Sequence, residues 1–287
     1  MILTELFTNY TYQQALAGTV TIGACAGALG PLVYLRRQSL LADAVSHSSL
    51  PGLLIAFVTA TALGMNGRTV GVLVCGAVAT GLLAVAAIHT LPKVTPLKQD
   101  AVMAAVLTTF FSVGMLILQY VSRTPLPGKA GIQDFLLGNA STLTRADVVT
   151  SLVIGVGILV VLAVVHNHHS VMIFDPAFAR VTGTRTRIIN TLAFVAITVI
   201  TVLGVKVVGV VLMVAVVVSP AAAARQWIHR LPTFIGLASF LGAACAVLGT
   251  ALSIHFAIPT GPTIVLVQAA VVAVSLAVSP RRRAVIA

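Results

Sequence analysis

The stretch LLADAVSHSSLPG, residues 40–52, contains the two side chains of this chain that are best suited to chemistry. Asp43 and His47 are four residues apart, so on a helix they share one face, with Cβ atoms about 5–6 Å apart. A carboxylate oxygen and an imidazole nitrogen together suit a divalent metal such as Mn(II), Fe(II) or Zn(II). Two ligands do not close a site, so a second copy of the chain, a carbonyl or water would complete it. Such weak coordination favours a metal that passes through and leaves.

A purely structural role for the pair stays open, in which an Asp–His hydrogen bond braces a contact between helices. The flanking residues are almost all apolar, however, and an ionisable group at membrane depth is costly and usually functional. Ser46 and Ser48 are expected to support the ligands by hydrogen bonding. Pro51 and Gly52 predict a break, a hinge or a close packing point just after the pair.

The elements that position this pair must be membrane helices, because the composition excludes a soluble fold. Of the 287 residues, 59% are hydrophobic and 8% are charged, and the mean hydropathy is +1.08. Soluble domains carry about 25% charged residues. Apolar runs long enough to cross a bilayer form helices there, since helices satisfy their own backbone groups. Nine candidate spans follow, at about 12–34, 39–63, 69–91, 101–121, 148–167, 188–205, 207–224, 233–254 and 262–279.

Two features of this pattern leave the number of full spans at eight or nine. The second candidate carries Asp43, His47 and the Pro51-Gly52 dipeptide, so it is the one suspected of being partial or re-entrant. The sixth and seventh candidates are joined by a stretch that we interpret as a tight turn, Gly204 to Lys206. Pro220 is expected to kink the seventh, and the alanines after it permit close helix packing.

The basic residues predict the orientation of the chain. Twelve of the 17 Lys and Arg residues fall in one set of alternate connections and five in the other. The positive-inside rule then favours a cytoplasmic C-terminus, with the N-terminus outside for nine spans and inside for eight. The same rule accounts for the net charge of +11 without a nucleic-acid partner. The chain reads as one transmembrane domain over residues 1–287, with an extracellular loop at about 122–147.

A short cytoplasmic helix is predicted within FDPAFARVTGT, residues 174–184. Asp175 is a suitable N-cap, Pro176 suits the first helical position and Gly183 suits the end. An exposed Phe178 on this helix could dock on a soluble partner. The alternative is a helix that lies on the membrane surface.

Other polar residues give weaker signals. His166, His168 and His169 form a dense cluster, but their spacing does not suit a closed metal site, and a cationic helix end at the cytoplasmic interface is the favoured interpretation. The three cysteines occur singly in apolar stretches, which favours buried small side chains. The chain has no phosphate-binding loop of the GxxxxGKS kind, so energy must come from a partner or an ion gradient.

Several motifs, in order from about residue 12 to residue 280, resemble the membrane permeases of manganese, zinc and iron ABC importers. LLADAVSHSSLPG resembles a family stretch with the same Asp and His, although Ala42 replaces a glycine and Ser48 an alanine. Lys98-Gln99-Asp100 resembles a Lys-Glu-Asp element, with Gln99 as a departure. FLLGN at 135–139 and FDPAFARVTG at 174–183 resemble two further segments, the second with Ala177 in place of a glutamate. The remaining two family segments are matched by VVGVVLMVAVVVSPAAAAR and IPTGPTIVL.

This resemblance implies the fold of a type II ABC importer permease in the bacterial cell membrane, surrounded by lipid. It implies that Asp43 and His47 coordinate metal in the translocation path, near Ser46 and Asp100. The partners would be cytoplasmic ATPase subunits, an extracytoplasmic metal-binding protein and a second permease copy or paralogue. The residues implied in ATPase coupling are Asp175, Pro176, Phe178, Ala179, Arg180 and Gly183.

The permease itself would then be no enzyme and would hold no permanent cofactor, since the metal is cargo. Manganese is favoured over zinc, because the pair supplies a hard oxygen and no thiolate. A rival hypothesis is a proton-coupled secondary metal transporter in which Asp43 and His47 form a proton relay. An intramembrane metalloenzyme built on the histidine cluster is disfavoured, because the HExxH-type pair is missing.

Overall fold

We describe the fold from a computed structural model that covers residues 9–36, 39–65, 67, 69–126, 138–175, 178–179 and 186–279. In these ranges the secondary structure is helical throughout. A one-turn 3₁₀ helix, Ala140–Thr142, precedes the fifth α-helix. The α-helices are α1 (Tyr10–Leu35), α2 (Ser39–Ala62), α3 (Val70–Val94), α4 (Gln99–Arg123), α5 (Arg145–Phe174), α6 (Thr186–Val208), α7 (Met213–Ala224), α8 (Leu231–Phe256) and α9 (Thr260–Val278).

Eight of these helices are long and apolar enough to cross a membrane, and α7 is shorter at 12 residues. All nine fall on the predicted apolar runs. An all-α polytopic membrane fold with eight or nine spans is therefore confirmed.

The second span is complete, so the prediction that α2 is broken or re-entrant was wrong. α2 continues through Pro51 and Gly52 without interruption. Pro51 removes one backbone hydrogen bond, but neighbouring helices hold this part of α2 on two sides. A Cβ added at Gly52 would overlap the carbonyl oxygen of Gly76 in α3, and one added at Gly114 in α4 would lie 3.1 Å from the Pro51 Cδ. The Pro-Gly dipeptide is thus a packing point within a continuous helix.

The short element is α7, and the turn before it lies later than predicted. Gly204 and Lys206 lie inside α6, and the turn covers residues 209–212. Gly209 has a φ of 99°, a conformation that favours glycine. Gly204 serves a different purpose, because a Cβ there would come within 2.5 Å of the Met213 sulfur. Gly204 therefore marks close packing between α6 and α7. The prediction of a turn at this glycine was wrong.

The most extensive helix contact among the described residues joins α1 to α8 through small residues. A Cβ added at Gly23 would lie 2.6 Å from the carbonyl oxygen of Gly242, and one added at Gly27 would overlap the carbonyl of Ala238. The hydroxyls of Thr19 and Thr250 share a 2.9 Å hydrogen bond in the same contact. Small residues let membrane helices approach at backbone distance, as in this interface.

Alternating helix directions give the bundle two ends, which we call the Arg36 end and the Lys206 end. The Arg36 end holds the C-terminal turns of α1, α3 and α5, and the Arg36 guanidinium meets His169 of α5 there. The Lys206 end holds the C-terminal turn of α6, where the Lys206 carbonyl accepts the Asn139 N–H. α1 begins at the Lys206 end, since Gly18 packs against Leu143. Because consecutive helices run in opposite directions, each odd-numbered helix ends at the Arg36 end, and so does α9, the last helix in the described ranges.

Candidate metal-translocation site

Asp43 and His47 lie together in the second and third turns of α2, as their spacing predicted. The His47 Nδ1 is 3.1 Å from Asp43 Oδ1 and 3.0 Å from the Asp43 carbonyl oxygen. The Ser46 hydroxyl donates a 2.9 Å hydrogen bond to the same carbonyl and lies 3.5 Å from His47 Nδ1. These contacts fix the imidazole against its own helix, so its orientation does not depend on a distant element.

The contacts around His47 also determine which ring nitrogen can bind a metal. Both close neighbours of Nδ1 belong to Asp43, and the ionised carboxylate and the carbonyl can only accept hydrogen bonds. Nδ1 must therefore carry the proton in neutral histidine, and Nε2 is left with its lone pair. A carboxylate that holds the N–H of a metal-binding histidine is a common arrangement, because it sets the tautomer and raises the basicity of the free nitrogen.

The fourth helix forms an apolar wall beside the pair. The Phe111 ring meets the His47 ring edge-on at a centroid distance of 4.8 Å and an interplanar angle of 72°. Gly114, one turn further along α4, allows the close approach of Leu50 and Pro51. This wall limits water around the imidazole, and low local dielectric strengthens any bond from the pair to a cation.

The pair is accessible yet incomplete as a metal site. The Asp43 side chain is 24% exposed and that of His47 is 11% exposed, so the pair is largely buried but keeps some accessible surface. Within the described residues no group of three or more His, Cys, Asp or Glu side chains is placed to hold a metal. One protomer thus presents one nitrogen and the carboxylate on an accessible face of α2.

Among the described residues, the other two predicted to act with the pair form no hydrogen bond with it. The Ser48 hydroxyl is buried and has no hydrogen-bond partner, so it does not support either ligand. Asp100 is exposed in the first turn of α4. Since His47 faces Phe111, Asp100 lies 11 residues, or roughly 16 Å, along α4 from that contact. That Asp100 lines the translocation path remains a prediction.

The beginning of the 174–184 segment has the local structure of a helix start. The Asp175 carboxylate accepts a 2.9 Å hydrogen bond from the Phe178 N–H, the contact of an N-cap with the third helical residue. Phe178 is 55% exposed and Ala179 is buried. Pro176, Arg180 and Gly183, which the sequence also assigned to this helix, lie outside the described residues. The exposed aromatic ring is at the Arg36 end of the bundle.

The histidine cluster does not form one exposed helix end, because its members differ in environment. His168 is exposed, but His169 is 2% exposed and its Nδ1 lies 3.4 Å from the Arg36 guanidinium. The interpretation as a cationic interfacial end was therefore wrong for His169. Its i, i+1 spacing from His168 places the two rings on different faces of α5.

Comparison with known proteins shows the family of this chain. The model of the family described as the ABC 3 transport family matches residues 8–279. The chain belongs to this family. It is a multi-pass membrane protein of the bacterial plasma membrane, in agreement with its eight long apolar helices.

Two curated relatives and one solved structure in the ABC 3 family illustrate the similarity. The zinc transport system membrane protein TroC of Treponema pallidum is 34% identical over 281 residues, which is 98% of this chain and 93% of that protein. The manganese transport system membrane protein MntC of Bacillus subtilis is 34% identical over 271 residues, 94% of this chain and 61% of that protein. The structure of PsaBC from Streptococcus pneumoniae in complex with Fab matches with a TM-score of 0.87 at 27% identity, over 98% of this chain and 96% of that chain.

One charged pair of this ABC 3 family member was missed by the sequence analysis. The Lys206 ammonium donates to Asp147 Oδ2 at 2.5 Å, and the Asp147 side chain is only 3% exposed. The Thr144 N–H and hydroxyl donate to the same oxygen at 2.7 and 2.8 Å. The signature Thr144-x-x-Asp147 of a capping box was readable in the sequence. The ion pair across 59 residues carried no local signal.

Proposed function

We propose that this chain is the permease subunit of an ATP-driven importer of a divalent transition metal, with Mn(II) as the favoured cargo and Zn(II) or Fe(II) as alternatives. Membership of the ABC 3 family supports the transporter class. The names of the relatives, which include zinc and manganese transport systems, support the cargo class. The oxygen and nitrogen donors of the Asp43–His47 pair suit both metals, and the absence of a thiolate from the pair favours manganese.

The observation that carries the proposal is the oriented imidazole. Asp43 holds the His47 Nδ1 proton, so Nε2 is the ligand atom and the carboxylate is the neighbouring oxygen donor. An arriving metal binds Nε2 while Asp43 holds Nδ1, and the Asp43 carboxylate becomes a direct ligand when it releases that nitrogen and turns toward the ion. A second permease copy or a paralogue presents an equivalent pair across the path, and water fills the remaining positions. Few protein ligands leave the metal weakly held, so it can be released.

We assign the proposed partners of this permease to the two ends of the bundle. We place the Arg36 end in the cytoplasm, where the basic residues predict it. Cytoplasmic ATPase subunits dock on the 174–184 segment, and Phe178 supplies an exposed apolar anchor there. ATP binding and hydrolysis belong to those subunits. An extracytoplasmic metal-binding protein delivers its cargo at the Lys206 end.

The test compares conservative variants of the pair with a matched control on the same helix. Asp43→Asn keeps an oxygen that can accept the His47 N–H and removes the negative charge. His47→Gln removes the ligand nitrogen and keeps a polar side chain. Ser48→Ala is the control, because its hydroxyl is buried next to the pair without a partner. Uptake of Mn(II) and Zn(II) is measured by elemental analysis in a strain lacking the native permease, and assembly by co-purification of the ATPase.

Loss of metal ligands or of their supporting groups generally costs about 10- to 100-fold in metal affinity or activity. We therefore expect both pair variants to lose at least tenfold in uptake while assembly and the control remain unchanged. Normal metal uptake by Asp43→Asn would refute coordination by the carboxylate. The Asp43–His47 hydrogen bond would then have only a structural role, that of bracing a contact between helices. Uptake that persists without any ATPase partner and stops with a protonophore would instead establish the proton-coupled transporter.

A further inference from the structure

A cavity of about 460 Å³ opens between α3 and α6 at the Arg36 end of the bundle. Its deeper wall is apolar and includes Leu82, Val85 and Val195. Its mouth is polar and is lined by His89, Thr90, Lys93, Asn190 and Thr191. The cavity therefore changes from apolar to cationic along the direction in which a membrane changes from acyl chain to headgroup.

A second cation, Arg36, lies behind this mouth beside the ring of Phe194. The His89 ring meets the Phe194 ring edge-on with centroids 4.3 Å apart. The Arg36 guanidinium carbon is 5.6 Å from the same centroid, on α1, and it contacts His169 of α5. Burial lowers the pKa of the Arg36 guanidinium from its ordinary value. Lys93 and Arg36 thus bring positive charge to one place, with the His89 and His169 imidazoles and the Phe194 ring beside them.

Within the described part of the chain, no carboxylate lines the cavity or forms an ion pair with Lys93 or Arg36. The two ion pairs found there, Asp43 with His47 and Asp147 with Lys206, do not line the cavity. The Nε2 of His89 is buried and has no hydrogen-bond partner among the described residues. Leaving the His89 Nε2 without a hydrogen bond and the half-buried Arg36 without a countercharge both cost free energy. A bound anion would reduce both costs.

We propose that this cavity binds an anionic phospholipid, with an acyl chain along the apolar wall between α3 and α6 and the phosphate at Lys93 and His89. Basic pockets between membrane helices on the cytoplasmic side bind anionic headgroups in this way. The apolar depth favours a lipid over free phosphate, because inorganic phosphate would use only the mouth. Ala86, which lines the cavity, is exposed at the outer surface of α3, so a lipid can enter sideways from the bilayer.

The first test separates a site from general surface charge. Lys93→Gln removes a cavity-lining charge, and Lys98→Gln removes an exposed charge at the same end that does not line the cavity. The full permease, purified with its ATPase, is incubated with phosphatidylglycerol or with phosphatidylcholine of the same chains, and bound lipid is counted by native mass spectrometry. One basic residue near an anionic headgroup contributes about 1 kcal/mol, which is about fivefold in affinity. We expect that loss for phosphatidylglycerol in Lys93→Gln only.

The second test concerns the apolar wall and leaves every charge in place. Ala86→Trp fills the cavity, whereas Leu83→Trp places the same ring on an exposed position one turn away that does not line it. We expect Ala86→Trp to abolish the preference for phosphatidylglycerol and Leu83→Trp to keep it.

Three results would overturn the proposal. Equal losses in Lys93→Gln and Lys98→Gln would indicate a diffuse charge effect. Displacement of the lipid by millimolar inorganic phosphate, with Ala86→Trp unaffected, would indicate a free-phosphate site. Unchanged lipid binding together with loss of the co-purified ATPase in Lys93→Gln would indicate that the mouth docks the partner protein.

Discussion

Replacing Lys206 with methionine removes the only countercharge that Asp147 has among the described residues. The Asp147 side chain is 3% exposed, so bulk water cannot screen its charge once the ammonium is removed. The two hydrogen bonds from Thr144 remain, but they do not cancel the charge. Breaking a buried ion pair at one partner typically costs about 3–5 kcal/mol. We expect the loss of stability in Lys206→Met to fall in this range, because the ion pair joins α5 to α6 at this end of the bundle.

The double variant Lys206→Met, Asp147→Asn tests the reason for that loss. Replacing both charges in a buried pair is often close to neutral, because no uncompensated charge is left. The Asp147→Asn change keeps an oxygen that can accept from the Thr144 cap, and the adjoining cavity of about 30 Å³ has room for a water to pair the new amide. We therefore expect the double variant to lie within about 1 kcal/mol of the wild type.

The assay is equilibrium unfolding of the purified permease in mixed micelles with increasing SDS, followed by circular dichroism. If the free energy of unfolding of Lys206→Met lies within about 1 kcal/mol of the wild-type value, the Asp147 carboxylate does not depend on its ammonium partner. A double variant as unstable as the single one would also refute the reasoning, since charge imbalance would then not be the cause.

Two further predictions concern packing and partner docking. Gly52→Ala places a Cβ against the Gly76 carbonyl and should destabilise the α2–α3 contact by about 1–3 kcal/mol in the same unfolding assay. Gly157→Ala is its control, since no atom lies within 4 Å of the added Cβ, and it should be neutral or stabilising by up to about 1 kcal/mol. Phe178→Ala should reduce co-purification of the ATPase at least tenfold, with Val160→Ala, which is exposed on the α5 surface, as the control. Equal recovery of the ATPase by both variants would contradict docking through the aromatic ring.

The number and placement of the helices followed from the sequence because lipid imposes one strong rule. An apolar run of membrane length must be helical, whatever its neighbours are. The pairing of Asp43 with His47 followed equally well, since i, i+4 contacts depend on helix geometry alone. These predictions required no knowledge of tertiary contacts.

The errors came from residues whose role is set by a neighbouring helix. Pro51 and Gly52 suggested a break, but α2 continues through them and packs there against α3 and α4. Gly204 read as a turn, whereas its missing side chain admits Met213. A glycine or proline in a sequence indicates that something is unusual at that position, but packing decides whether it is a bend or a close contact. The burial of His169 against Arg36 depends in the same way on contacts across 133 residues.

The glycine contact between α1 and α8 has a consequence for motion during transport. Gly23 meets Gly242 at backbone distance, so no side chain lies between the helices that could change rotamer and let them slide. Relative movement there would separate two backbones and lose dispersion contacts along the whole interface. We expect α1 and α8 to move as one rigid body. The contact of α4 with α2 differs, because Phe111 and Leu50 are large side chains that can repack. A rearrangement that opens and closes access to His47 would therefore take place on the α4 side.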